Sequence, residues 1–435
     1  MNLFVVGCIG ILLLLIFMSL RMPVALTMFV VGFAGCCYLT SVKAGAMILA
    51  KDIYSNFSSY SLSVVPMFIL MGFLAFQSGI GTKLYSFAYK WIGHFPGGLA
   101  IATQVTCGLF GAICGSNTAT AATIGAIAIP EMKKYNYKDS LATAAVAAGG
   151  GLGVLIPPSV IFILYGIQTE VSIGKLFLSG ILPGILLMSL YIIIIYVSAV
   201  RNPTLAPAGP RFSWKERLQS IRGGLLEVII IFAFSLGGLF AGWFTPTEAG
   251  AVGAIGVLII AVVEKELSWE KLKMALFKTT QTTAMIMLLV AGATVFSHFM
   301  AISQVSFYLA TWTAATPAPA WVVVAMIIFI YLVLGCFIAA LPLVLMTIPI
   351  FYPVVVTTLG FDPIWFGVIM VLVVEMGIIT PPVGVNVYVI KGIAKDVPLE
   401  TIFSGIWIFL LAQVVCVGLI IAFPQIALFL PNLMW

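Results

Sequence analysis

Of the 435 residues 62% are hydrophobic and only 8% charged, and a mean hydropathy of +1.21 excludes an ordinary soluble globular chain. The net charge of +6 comes from Lys and Arg in short connections between apolar runs, the pattern of cytoplasmic loops and not of a nucleic-acid surface. The seven cysteines, among them Cys114 and Cys336, sit in apolar segments without CxxC or metal-ligand spacing and read as small core residues.

Windows of about 20 apolar residues mark predicted membrane spans. They fall at 2–20, 22–42, 58–78, 139–165, 174–200, 222–243, 246–264, 281–301, 363–392 and 402–430. The first has no basic stretch before it, with Arg21 after it, so it reads as a span and not as a leader. No polar interval exceeds the stretch Arg201 to Arg222, which leaves no room for a soluble domain.

Two further apolar regions, 97–134 and 319–358, are long enough for two passes but are interrupted near the middle by "GSNTAT" and "GCFIAALP". Hydrocarbon cannot satisfy hydroxyls, amides or irregular backbone, so each predicts a re-entrant hairpin with its tip buried in protein or lining a cavity. Two spans are also broken, by "GGGLGVLIPPS" and "EMGIITPPVGVN". Adjacent prolines cannot continue a helix, and the backbone groups they free need partners.

These regions repeat. Gly111, Gly153, Pro157 and Pro158 map onto Gly335, Gly377, Pro381 and Pro382 at a constant offset of 224 residues. The crossings between the two broken spans are odd in number if the second hairpin is re-entrant, which inverts the second copy. Charge agrees: with the first hairpin opening to the cytoplasm, the basic groups at Lys83/Lys90, Lys133/Lys134/Lys138, Arg201 to Arg222, Lys265 to Lys278 and Lys391/Lys395 fall inside, with Lys43 and Lys51 as violations of the rule. Both termini are then expected in the periplasm. Amphipathic segments at 82–95 and 268–279 suit helices in the cytoplasmic interface that join the hairpins to a static frame.

The predicted fold is therefore an all-α polytopic membrane protein of two inverted repeats, each a re-entrant hairpin plus a broken helix. Inverted repeats with discontinuous helices indicate a secondary transporter whose site lies where the repeats meet. Half-helix N-termini suit an anion, and unwound carbonyls suit a small cation. Enzyme chemistry has no support: His94 and His298 stand apart, and there is no HExxH, GxSxG or Walker lysine. Among the membrane carboxylates Glu131 reads as interfacial, Glu248 as a helix cap and Glu375, deep in the broken span, as either cation-coupling or structural. The tips are neutral, and neutral oxygens favour sodium over proton coupling.

The stretches "CGSNTATAATIGAIAIPEM" (114–132), "GGGLGVLIPPS" (149–159), "TPTEAGAVGA" (245–254) and "FGVIMVLVVEMGIITPPVGVNVYVIKGIA" (366–394) carry a resemblance. The chain resembles, over essentially its whole length, the large membrane (M, DctM-like) subunit of tripartite ATP-independent periplasmic (TRAP) transporters. The resemblance implies an elevator in which hairpins and broken helices move as one body. It implies Na+-driven uptake of sialic acids or C4-dicarboxylates with a four-helix small (Q) subunit and a periplasmic substrate-binding (P) protein in the bacterial inner membrane, and no organic cofactor.

By position the resemblance places a first sodium site at Ser116, Asn117, Gly153, Leu155, Ile156 and Pro157. A second falls at Gly335, Gly377, Thr380 and Pro382, for about two or more ions. Substrate contacts fall on Ser116, Thr118, Ser159, Asn386 and Ala339, the last standing where family members commonly carry an acidic residue. The expected division is scaffold 1–80, arm helix 81–96, first transport half 97–173, scaffold and cytoplasmic loop 174–265, arm and linking helix 266–318, second transport half 319–398 and a C-terminal helix 399–435. A self-sufficient sodium:carboxylate symporter without partner subunits is the alternative.

Overall fold

The computed structural model describes residues 2–315 and 318–434. Every regular element described is helical. The chain opens with α1 (Leu3–Ser19), α2 (Val24–Leu39), α3 (Val42–Phe57), α4 (Val64–Gln77) and α5 (Ile80–Ile92). The first hairpin is α6 (Gly98–Cys114) and α7 (Asn117–Lys134), and the first broken helix is α8 (Asp139–Leu155) and α9 (Val160–Thr169). Then come α10 (Ile173–Arg201), α11 (Trp214–Phe240), α12 (Pro246–Val263), α13 (Trp269–Ile302) and α14 (Val305–Ala315). The second hairpin is α15 (Ala320–Gly335) and α16 (Ala340–Thr358), the second broken helix α17 (Pro363–Gly377) and α18 (Val385–Ile393), and the chain closes with α19 (Leu399–Ala422) and α20 (Gln425–Met434).

Among the described residues eight helices are long and apolar enough to cross a membrane. The stretch Asp139–Thr169 is the most enclosed: 94% of its apolar window is buried, against 33% for α12. Its composition explains this, because Ala and Gly let neighbouring backbones approach closely. Helix α8 packs on α6, α7 and α19, while α10 packs on α6, α8, α17 and α19. A second group forms around α13, which packs on α2, α3 and α4, with α12 also against α4.

Three expectations need correction. Segment 268–279 is not a separate interfacial helix: it is the first part of α13, whose 34 residues extend about 51 Å at 1.5 Å per residue, well beyond a ~30 Å hydrocarbon core. Nothing after Lys278 breaks a helix, so the amphipathic onset and the apolar span run on as one. The span expected at 402–430 ends at Ala422, because Pro424 lacks the N–H needed to continue it, and α20 starts anew. The span expected at 222–243 begins earlier, at Trp214, with irregular backbone at Gly223 and Gly224. Residues 42–57 form α3, a helix the hydropathy pattern does not mark.

Charged ends tie the pieces together. Lys83 of α5 donates to Glu264 at the end of α12 at 2.6 Å, and Trp91 Nε1 of α5 donates to the Arg217 carbonyl of α11 at 3.1 Å. Helix α12 starts with a capping box: Thr245 Oγ1 accepts from Glu248 N, and Glu248 Oε2 accepts from Thr245 N at 2.8 Å. The expected capping role of Glu248 is thereby observed.

Candidate functional site

Both interruptions expected to be hairpin tips are tight turns. At the first, Gly115 adopts φ +64, a left-handed conformation that glycine takes without strain. A Cβ there would lie 2.7 Å from the Pro158 carbonyl oxygen, so the tip rests directly on the break between α8 and α9. Ser116 then caps α7, its Oγ accepting from Ala119 N at 3.4 Å and lying 3.4 Å from Thr118 Oγ1. At the second tip Ala339 occupies the cap position of α16 and offers no side-chain acceptor.

Each hairpin crosses its broken helix glycine to glycine. A Cβ built on Gly111 would lie 2.6 Å from the Gly153 Cα, and one built on Gly335 would lie 3.1 Å from the Gly377 Cα. Gly153 sits beneath the first tip, where its own Cβ would clash with Thr120 Oγ1 and lie 3.1 Å from the Ser116 carbonyl oxygen. Thr120 is fully buried, and its hydroxyl has no oxygen or nitrogen partner among the described residues. Sequence reasoning missed Thr120 because a threonine one turn into a helix usually bonds its own backbone; here the glycine facing it was the available signal.

The two tips meet at one cavity of about 500 Å3. Its wall takes Ser116, Asn117 and Thr118 from the first tip, Ala339 to Pro342 from the second, and residues of α2, α4 and α13 opposite. Thr282 of α13 is the polar group on that opposite side. The structure thus brings Ser116, Asn117, Thr118 and Ala339 together on one surface.

The remaining expected residues stand behind that surface. Ser159 is fully buried and caps α9, accepting from Phe162 N at 3.3 Å. Leu155, Ile156 and Pro157 form the first break; the Leu155 carbonyl lies against Gly180 of α10, and Ile156 packs at Gly184. Thr380 and Pro382 lie in the second break, where Thr380 Oγ1 donates to the Met376 carbonyl at 2.6 Å. Asn386, fully buried, donates through Nδ2 to the Ala147 carbonyl at 3.2 Å and leaves Oδ1 without a partner among the described residues.

Glu375 links the halves. It is 1% exposed, and its Oε1 accepts from Asn117 Nδ2 at 3.1 Å, while Asn117 Oδ1 accepts from Thr118 N at 2.7 Å. One amide therefore connects the first tip to a carboxyl of the second broken helix. Three consecutive glycines of α8 make room for this polar layer: Gly149 faces Gln104 Oε1, Gly150 faces Asn386 Nδ2 and Gly151 faces Glu375 Oε2. A separate pair, His298 Nδ1 and Asp52 Oδ2 at 2.7 Å, joins α13 to α3.

A family model described as "Tripartite ATP-independent periplasmic transporter, DctM component" matches residues 11–426. The chain belongs to that family. Similar TRAP permeases include the C4-dicarboxylate large permease protein DctM of Pseudomonas aeruginosa, 35% identical with 88% of this chain and 89% of that protein covered. The sialic acid large permease protein SiaM of Vibrio cholerae is 33% identical with 95% of each covered. The ectoine/5-hydroxyectoine large permease protein UehC of Ruegeria pomeroyi is 33% identical with 97% of each covered. Two solved transporters share the fold at low identity. They are Alcanivorax borkumensis YdaH (TM-score 0.63, 17% identity, 89% of this chain and 91% of that one) and Neisseria gonorrhoeae MtrF (TM-score 0.56, 15% identity, 86% and 84%). This TRAP permease is accordingly a multi-span transporter subunit of a tripartite system, not an enzyme.

Proposed function

We propose that this chain is the translocating subunit of a sodium-coupled importer of an organic acid. The acid is delivered by a periplasmic binding protein, and a four-helix small subunit completes the inner-membrane complex, with both termini of this chain periplasmic. The observation that carries the reading is the shared cavity: two hairpin tips from distant parts of the chain line one face of it, and α2, α4 and α13 line the other. A boundary of this kind suits a body that slides past a frame.

The moving body comprises α6 to α9 and α15 to α18; α10, expected from the sequence in the scaffold, and the C-terminal α19 are assigned to it instead because both pack on α8. The frame comprises α1 to α4, α12 and α13. Sodium binds at the first tip through Ser116, Asn117 and oxygens about Gly153, with Thr120 added as a ligand, and at the second around Gly335, Gly377 and Thr380. Neutral oxygens at hairpin and helix breaks suit a monovalent cation. Substrate binds in the cavity with its charge at Ser116 and Thr118 and its body toward Ala339 at the second tip, and Ser159 and Asn386 support the tips from behind.

Uptake of labelled C4-dicarboxylate, sialic acid and ectoine into proteoliposomes tests this, with and without an inward Na+ gradient, a small subunit and a binding protein. Accumulation that requires the gradient and both partners supports the reading. Accumulation by this chain alone supports the self-sufficient symporter, and gradient-independent equilibration overturns sodium coupling.

A further inference from the structure

The cavity wall is almost entirely apolar. Among its lining residues none is Lys, Arg, His, Asp or Glu, and the hydroxyl and amide side chains are confined to Ser116, Asn117, Thr118 and Thr282. The second tip contributes Ala339, Ala340, Leu341 and Pro342, with no polar side chain. Opposite stand Phe73, Phe76, Met285 and Leu289.

A C4-dicarboxylate carries two charges at opposite ends, and each needs its own set of donors once water is stripped away. A set of hydroxyl and amide side chains stands at one end only, at the first tip, against the lone hydroxyl of Thr282 elsewhere in the wall. A sialic acid carries several hydroxyls, which a wall of Phe, Met, Leu and Pro leaves unpaired, a mismatch more costly than a missing methylene. One compact anionic group on an apolar body matches both parts of the wall. The volume of about 500 Å3 lies within the usual range for small-molecule sites.

We infer that the cavity selects a monocarboxylate with an apolar body, branched-chain or aromatic, over dicarboxylates and polyhydroxylated acids. The carboxylate lies against Ser116, Asn117 and Thr118, and the body lies among Phe73, Phe76 and Met285. This rests on the proposed reading of the cavity as the substrate site, and it specifies that site's chemistry.

Because a binding protein would impose its own selectivity, the test uses the purified full-length chain alone in sodium chloride. Binding is measured by calorimetry for propanoate, butanoate, pentanoate and hexanoate, for 4-methyl-2-oxopentanoate, succinate and N-acetylneuraminate, and for 1-hexanol as the uncharged control. Each added methylene should tighten binding about four-fold, the equivalent of ~0.8 kcal/mol, with succinate and N-acetylneuraminate at least ten-fold weaker than 4-methyl-2-oxopentanoate. Met285→Ser should flatten the chain-length series, and Thr118→Val should weaken hexanoate while sparing 1-hexanol.

A flat series, tighter succinate or N-acetylneuraminate, 1-hexanol equal to hexanoate, or no binding by any carboxylate would each overturn the inference. The uptake assay reads separately: sodium-driven accumulation of a dicarboxylate leaves the transporter standing and removes only this selectivity. Loss of sodium coupling removes the transporter reading whatever the chain-length series shows.

Discussion

Gly111 and Gly153 meet with so little space that a Cβ on Gly111 would lie 2.6 Å from the Gly153 Cα, and Gly335 meets Gly377 in the same way 224 residues further on. At both crossings the hairpin and the broken helix touch backbone to backbone, with no side chain between the paired glycines. Gly111→Ala must push backbone apart, which costs about 1–3 kcal/mol for overpacking. It is expected to lower the melting temperature of the detergent-solubilised protein and to cut uptake by about five-fold or more, since each 1.4 kcal/mol is a factor of ten. Gly418→Ala is the control, because a Cβ there meets nothing within 4 Å; its uptake should match that of the parent and its stability should equal or exceed it.

Asn117→Ala removes the Nδ2 donor to Glu375 and the Oδ1 acceptor for Thr118 N. The first tip then loses its tie to α17, and the Na+ concentration for half-maximal uptake should rise about five-fold or more, the effect of losing one hydrogen bond of ~1 kcal/mol. Thr380→Ala should shift the same curve through the second tip. Sodium activation curves for both variants check this, and two unchanged curves would contradict the sodium assignment.

Glu248→Ala opens the capping box of α12 without touching the cavity. A small loss of stability is expected, with the half-saturating Na+ and substrate concentrations unchanged. Thermal unfolding and uptake measured on one preparation check both halves of that statement.

A hydrogen bond from Lys133 holds the Asp396 carboxyl below the usual carboxylate range. Lys133 also lies 3.6 Å from Asp139, so the end of α7, the start of α8 and the loop after α18 share one cation. A carboxyl depressed in the folded state stabilises it at pH values above the unfolded value of about 3.9 and loses that contribution as pH falls through the lower folded value. Asp396 is exposed, so the effect is small. Asp396→Asn should narrow the stability difference between pH 6 and about pH 3 relative to the parent, and a melting-temperature series against pH reads it.

Much of the architecture around the candidate site is legible in the sequence because its devices are covalent. Gly115, Pro157, Pro158, Pro381 and Pro382 dictate where helices stop, and a constant spacing exposes the repeat. The C-terminal break at Pro424 was equally visible but sat within a run so apolar that hydropathy smoothed over it. The 34-residue α13 was hidden for the opposite reason: its polarity changes along its length while its backbone does not. Contacts between distant residues left no local trace. Asp52 meets His298, Asn117 meets Glu375 and Thr120 faces Gly153, yet each looks ordinary among its own neighbours. The partners are set by packing between helices, which a reading along one chain does not contain.

The most direct measurement is the sidedness of the hairpin tips. Single cysteines at Thr118 and at Leu341, in a background with the native cysteines replaced, are labelled by a membrane-impermeant maleimide from either face of oriented vesicles, with and without Na+ and substrate. A rigid body sliding past α4 and α13 predicts that both positions exchange reactivity from one face to the other together under the same conditions. Reactivity that stays on one face while uptake proceeds, or that changes at one tip and not at the other, would contradict it.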